Sequence, residues 1–177
     1  MKRDEFEHTI RAAGAILGTN ELLVIGSQAI HASVKRLFPE AQVSIEADIA
    51  AFDDEDGTKA DLIDGSIGEL SMFQATYGYY AQGVTPGTAV LPEGWKKRLV
   101  PFSSPATSGV TAYCLEPHDL WISKAVAARP KDIPFCKALL TRKLVRPDTL
   151  AERLAATKGL KPEVRAYVTK RIPRRSR

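Results

Sequence analysis

Cysteine is scarce in this chain: of 177 residues only Cys114 and Cys136 carry a thiol. They fall in different predicted elements and lack metal-ligand spacing. Two such residues cannot staple a disulfide scaffold, and they read as buried core thiols of a reducing compartment. Long apolar runs are also missing. No window approaches the roughly 18 consecutive apolar residues that a membrane span requires, so no membrane partner is expected. The first residues, Met1-Lys-Arg-Asp-Glu-Phe-Glu-His, hold neither an apolar signal core nor a small-residue cleavage site, and the expected location is cytoplasmic. There is no internal repeat. What is present is enough apolar material, 44% of residues, for one ordinary core with a small helical appendage.

Charge is unevenly spread. Residues 40–69 hold ten acids against one base, Lys59, whereas residues 118–177 hold sixteen Lys and Arg against five acids. An acidic middle and a basic final third suit a protein that holds a cation in one place and a polyanion in another, although two solvated faces of opposite sign explain the same counts.

Periodicity supplies the elements. Phe6, Ile10, Ala13 and Leu17 recur at helical spacing, which predicts an amphipathic helix over 3–17 ended by Gly18. Glu21-Leu-Leu-Val-Ile reads as a strand buried on both faces. Gly26-Ser27 follows it, and 28–37 reads as a helix. From Gln42 to Ala51 the chain alternates like a strand, with Val43, Ile45, Ala47 and Ile49 on one face and Ser44, Glu46 and Asp48 on the other. A polar turn at 53–57 precedes a helix from Thr58 through Ile63. Residues 65–87, with five glycines and Tyr77, Tyr79 and Tyr80, read as a helix or turn leading into a short strand. Leu99–Phe102 and Val110–Leu115 read as a hairpin pair. Pro117 opens a helix through Ala128 that Pro130 stops. Three short helices follow at 132–141, 147–156 and 162–170, then a basic end, 171–177, read as disordered. The expected fold is α/β (α+β): a small mixed sheet flanked by helices over 1–116, with a helical C-terminal part over 117–170 packed on it.

Three signals carry chemistry. The first is strand, Gly26-Ser27, helix. Glycine permits a tight turn and close approach of a ligand, Ser27 can offer hydroxyl and amide to a phosphate, and a helix start favours an anion; a plain helix cap explains the same residues. The second is Ser44-Ile-Glu-Ala-Asp48. Residues i and i+2 of a strand share a face, so the Glu46 and Asp48 carboxylates project together. Such a pair repels unless a cation compensates, and Mg²⁺ suits one or two carboxylates, completing its shell with water and phosphate; a solvated acidic edge strand is the alternative. The third is Lys124 on an otherwise apolar helix, followed by Arg129, Lys131 and Asp132. These cations can meet a triphosphate, with Asp132 orienting one of them or assisting the metal. Favourable cations at a helix C-terminus account for Arg129 but not for Lys124. His8 and His31 read as surface or capping groups and His118 as a helix-start residue, with contact to the site as the alternative. The tyrosine cluster Tyr77, Tyr79 and Tyr80 reads as core or edge packing, with base stacking as the alternative.

Taken together, this layout resembles the nucleotidyltransferase (DNA polymerase β-like) superfamily. More closely it resembles the AbiEii/MenT-like toxin nucleotidyltransferases of type IV toxin–antitoxin systems. The likeness lies in Ile25-Gly-Ser-Gln-Ala-Ile30, Ser44-Ile-Glu-Ala-Asp48, Asp64-Gly-Ser-Ile-Gly-Glu69, Gly78-Tyr-Tyr-Ala-Gln-Gly-Val84 and Leu115 through Asp132, spanning about residues 20–140. It implies transfer of a nucleotidyl group from an NTP to a hydroxyl, with Glu46 and Asp48 as catalytic acids and Mg²⁺ ligands and Gly26 and Ser27 at the phosphates. It further implies Lys124 as a catalytic and nucleotide-binding cation and Asp132 as a further catalytic acid, for which Asp61 and Asp64 are rivals, while Arg129 and Lys131 read from their place after Lys124 as further nucleotide-binding cations. The implied partners are an NTP, a tRNA 3′ end or other RNA, and a cognate antitoxin. A protein side chain as acceptor is a further option. Glu46 departs from the superfamily's usual aspartate, its extra methylene moving the carboxylate by roughly 1.5 Å, one C–C bond. That departure supports a second reading: a decayed module that retains the fold and binds nucleic acid or an antitoxin.

Overall fold

The computed structural model describes residues 1–173. Arg174, Arg175, Ser176 and Arg177, most of the basic end, lie outside the described residues. The chain forms two compact units, Met1–Thr88 with Leu99–Leu115, and Ala89–Arg98 with Glu116 onward.

In the first unit a five-stranded mixed sheet runs in the order β3-β2-β1-β5-β4, with β1 Glu21–Val24, β2 Glu46–Ala50, β3 Tyr80–Gly83, β4 Val100–Phe102 and β5 Thr111–Cys114. The central β1 is antiparallel to β2 and parallel to β5. The outer pairs are β2 with β3, parallel, and β4 with β5, the antiparallel hairpin expected from the sequence. Leu22, Leu23 and Val24 of β1 are wholly buried, as a near-continuous apolar strand should be. Helix α1 (Arg3–Leu17) buries Phe6, Ile10 and Ala13, and Gly18 in the left-handed region closes it.

The parallel β2–β3 connection passes through α3 (Thr58–Ile67) and α4 (Met72–Tyr77). The buried Asp54 carboxylate accepts the backbone N–H groups of Lys59 and Ala60 at the start of α3, at 3.0 and 2.8 Å. At its far end the Asp64 carboxylate accepts the Gly83 N–H of β3 at 2.6 Å. A Cβ on Gly83 would stand 2.0 Å from the Ala60 carbonyl oxygen, so glycine is what lets this helix lie on the strand.

Two expectations are corrected here. Residues 28–37 do not form one helix. Ser27–Ala32 is a six-residue 3₁₀ turn, and a separate short helix α2 spans Pro39–Gln42. The Arg3 guanidinium donates to the carbonyls of His31 and Val34, oxygens that a continuing helix would use internally. Strand β2 also begins at Glu46 instead of Gln42, because the Ala41 and Ser44 carbonyls accept the Gln28 side-chain amide at 3.3 Å each. Val43 and Ile45, read on one strand face with Ala47 and Ile49, lie before the strand and are 72% and 47% exposed.

His31 is likewise not a surface group. It is 1% exposed, stacks on Phe6 with ring centroids 4.4 Å apart, and bonds Gln28 Oε1 through Nε2 at 3.1 Å. His8 joins Phe73, Tyr77 and Tyr79 in an aromatic cluster, its Nδ1 2.8 Å from the Tyr79 hydroxyl.

The second unit is helical: α5 Pro117–Ala127, α6 Asp132–Thr141, α7 Pro147–Ala155 and α8 Pro162–Thr169. The Glu116 side chain accepts the His118 N–H at 3.1 Å and caps α5 before Pro117. The wholly buried Asp119 is gripped by Arg98, Nε and Nη2 at 2.8 and 3.0 Å, and lies 3.2 Å from Arg153 Nε. Trp121 Nε1 donates to the Cys136 carbonyl at 3.0 Å and ties α5 to α6. His118 is structural: the Arg146 N–H donates to its Nε2 at 2.9 Å, which leaves Nδ1 as the nitrogen that faces Glu116. Arg171, read from sequence as part of the tail, lies over the Tyr167 ring, 3.3 Å from its centroid. Both cysteines are buried and free, as expected. Among the described residues no helix is long and apolar enough to cross a membrane.

The buried His31 generates a pH prediction. Burial first, then Arg3 and the N-terminal ammonium, lower its pKa from the ordinary 6.5 to about 3. The folded chain therefore holds His31 neutral while the unfolded chain protonates it near 6.5, so its contribution is complete above that pH and is lost as pH falls toward about 3. Urea unfolding at pH 7.5 and pH 5.0 should show a loss of about 2 kcal/mol from this group. His31→Gln should lack that increment, and an identical pH dependence in both proteins would refute the assignment.

Candidate functional site

The site grows from the pairing of β1 with β2. Their antiparallel register sets Leu23 opposite Ala50 and Val24 opposite Ile49, and the Ile25 N–H continues it by donating to the Asp48 carbonyl at 3.2 Å. Gly26 is thereby brought beside Asp48. A Cβ built on Gly26 would lie 1.4 Å from Asp48 Oδ2 and 2.4 Å from its Cγ. The backbone at Gly26 is extended, with φ −91° and ψ −168°, so any residue could adopt it. Glycine is required here for space, and the space is filled by the carboxylate.

Along β2 the burial alternates at first: Glu46 half-buried, Ala47 buried, Asp48 half-buried, Ile49 and Ala50 buried. The two acids share a face, as two-residue spacing dictates. The parallel register places Tyr80 beside Glu46 and Gln82 beside Asp48. The Tyr80 hydroxyl donates to Glu46 Oε2 at 2.9 Å. Burial and then this carboxylate raise the phenol's pKa above its ordinary value, with Glu69 and Asp48 adding to the effect. The region is thus strongly anionic, as the count over 40–69 suggests.

Ser27 opens the 3₁₀ turn, and no side-chain hydrogen bond caps that turn. The Ser27 Oγ has a long 3.5 Å contact from the Gln28 amide. Among the described residues no group of three or more His, Cys, Asp or Glu side chains could hold a metal by themselves. A two-carboxylate site still fits Mg²⁺, a hard ion that takes one or two protein carboxylates and keeps water or phosphate oxygens for the rest. The donor set of Glu46 and Asp48 has that chemistry, and Gly26 gives the carboxylate of Asp48 its room.

In the helical unit, Lys124 and Asp132 meet each other. Lys124 Nζ lies 3.5 Å from Asp132 Oδ1, and both side chains are almost wholly buried. Arg129 is exposed and reaches the same carboxylate, Nε to Oδ2 at 2.8 Å. Lys131 is exposed at the start of α6. Lys124, Asp132, Trp121 and Cys136 also line a small apolar cavity of about 150 Å³. The burial that makes Lys124 conspicuous in sequence is compensated by Asp132, eight residues on. Of the rival acids, Asp64 is committed to the Gly83 N–H and Asp61 is exposed on α3. The Tyr80–Glu46 bond was not legible in sequence. It joins residues 34 apart, and only the strand register, which no motif announces, brings them together.

The Gly26–Asp48 contact generates a test. Gly26→Ala should cost about 1–3 kcal/mol in urea unfolding, the usual range for overpacking a filled space. In an Asp48→Ala background the same substitution should cost much less, since the atoms that it meets are gone. Equal costs in both backgrounds would mean that the carboxylate does not lie on Gly26.

Searches of curated proteins and of solved structures returned no match. The family described as Nucleotidyltransferase of unknown function (DUF6036) matches residues 5–170, nearly the whole chain, including the Gly26-Ser27 turn and both acids of β2. The chain belongs to this nucleotidyltransferase family.

Proposed function

We propose that this nucleotidyltransferase moves a nucleotidyl group from an NTP to a hydroxyl of RNA, a tRNA 3′ end being the first acceptor to test. The observation that carries the reading is the Asp48 carboxylate seated on Gly26, with Glu46 beside it on the same face of β2. In the reaction the acceptor oxygen attacks the α-phosphorus and the bond to the β-phosphate oxygen breaks. Pyrophosphate leaves with the electron pair, and the acceptor gives up its proton. Such chemistry depends mainly on positioning and on charge placed in advance.

Glu46 and Asp48 are the residues that would hold Mg²⁺. When bound, that ion offsets triphosphate charge and makes the acceptor hydroxyl easier to deprotonate. Gly26 and Ser27 present backbone and hydroxyl to the phosphates. In the helical unit Arg129 and Lys131 are the exposed cations proposed for nucleotide binding. Lys124 and Asp132, buried against each other, hold that end of α5 and α6 in place. The basic final third supplies the attraction for RNA. The resemblance to AbiEii/MenT-like enzymes supports a toxin-like role with a cognate antitoxin. A second reading, a decayed module that binds nucleic acid or an antitoxin, draws on Glu46 in place of aspartate.

Incubation with each labelled NTP, Mg²⁺ and total tRNA separates these readings. Transfer of label to RNA is expected for the wild type and loss to background for Asp48→Ala, with RNA binding retained. RNA binding without Mg²⁺-dependent NTP binding in the wild type would favour the decayed module, and label on protein would replace the RNA acceptor.

A further inference from the structure

We infer that Tyr80 is a positioning residue that fixes the Glu46 carboxylate, so that glutamate and tyrosine together do what a shorter acid does alone. The inference rests on the reading of Glu46 and Asp48 as the metal-holding pair. Its basis is separate: the β2–β3 register sets Tyr80 beside Glu46, the hydroxyl lies 2.9 Å from Oε2, and the tyrosine is 6% exposed.

A glutamate has one more rotatable bond than an aspartate, and its carboxylate sweeps a larger volume. Left unrestrained, it would have to be ordered at each binding event. Tyr80 is buried on β3, whose register against β2 sets it beside Glu46, so its hydroxyl is a positioned donor. Bonding one carboxylate oxygen fixes the direction of the whole group. Aspartate at position 46 would draw the carboxylate back by roughly 1.5 Å, beyond hydrogen-bond reach of the same hydroxyl. The substitution that looks like decay in the sequence is thus matched by a partner on the neighbouring strand. Groups that orient a ligating carboxylate typically contribute 10–100-fold to metal affinity.

Mn²⁺ titration followed by electron paramagnetic resonance, with no nucleotide turnover, tests this. Tyr80→Phe keeps the ring and removes only the hydroxyl. It should weaken Mn²⁺ binding by roughly tenfold or more while leaving the metal-free melting temperature close to that of the wild type. In a Glu46→Asp background, Tyr80→Phe should have no effect on Mn²⁺ binding, because aspartate does not reach the hydroxyl. Unchanged binding in Tyr80→Phe, or an equal loss in both backgrounds, would overturn the positioning role. If wild-type protein binds no Mn²⁺, or if Glu46→Gln with Asp48→Asn binds it as well as wild type, the metal-pair reading itself fails.

Discussion

The carboxylate of Asp48 occupies the volume in which every residue except glycine would carry a Cβ at position 26. Most of the candidate site follows from that contact. It requires β1 and β2 to pair antiparallel in one register, since a shift by one residue would turn Asp48 to the other face and present Ala47 instead. It requires the chain to leave β1 extended at Gly26 before tightening into the Ser27–Ala32 turn. It also fixes where Glu46 stands, two residues earlier on the same face.

The neighbouring elements maintain that register. Strand β3 is held to α3 by the Asp64 carboxylate on the Gly83 N–H, and Gly83 has no Cβ to push α3 away. With β3 so placed, Tyr80 lies beside Glu46. On the approach to β2, the Gln28 amide takes the Ala41 and Ser44 carbonyls, and Gln28 in turn bonds the buried His31. The residues that flank the paired acids are therefore held by polar bonds, those of Gln28 to Ala41 and His31 being buried, where a half-satisfied group loses more than apolar packing does.

Much of this was legible in the sequence where one local rule decides the outcome. The α1 spacing, the nearly continuous apolar β1, the β4–β5 hairpin, Pro117 at the start of α5 and the three later helices are each set by periodicity or by proline and glycine. The paired acids were legible because two-residue spacing on a strand needs no tertiary information. Failures came where a distant partner overrode local preference. Residues 28–37 look helical, yet Arg3, some 28 residues earlier, takes the carbonyls that a helix would need. His31 looks like a surface residue until Phe6 covers it. By contrast, Lys124 stood out on an apolar helix, and Asp132, read as able to orient one of the nearby cations, lies 3.5 Å from it. The Tyr80–Glu46 bond has no local signature.

The central claim is that the two carboxylates of β2 and the Gly26-Ser27 turn form one metal–nucleotide site. A crystal structure of the wild-type protein soaked with Mn²⁺ and a non-hydrolysable NTP, with anomalous data collected at the manganese edge, tests it most directly. The account predicts an anomalous peak within ligand distance of both the Glu46 and Asp48 carboxylates, with the triphosphate lying against Gly26 and Ser27. A metal peak elsewhere, or a nucleotide bound away from this turn, would contradict it.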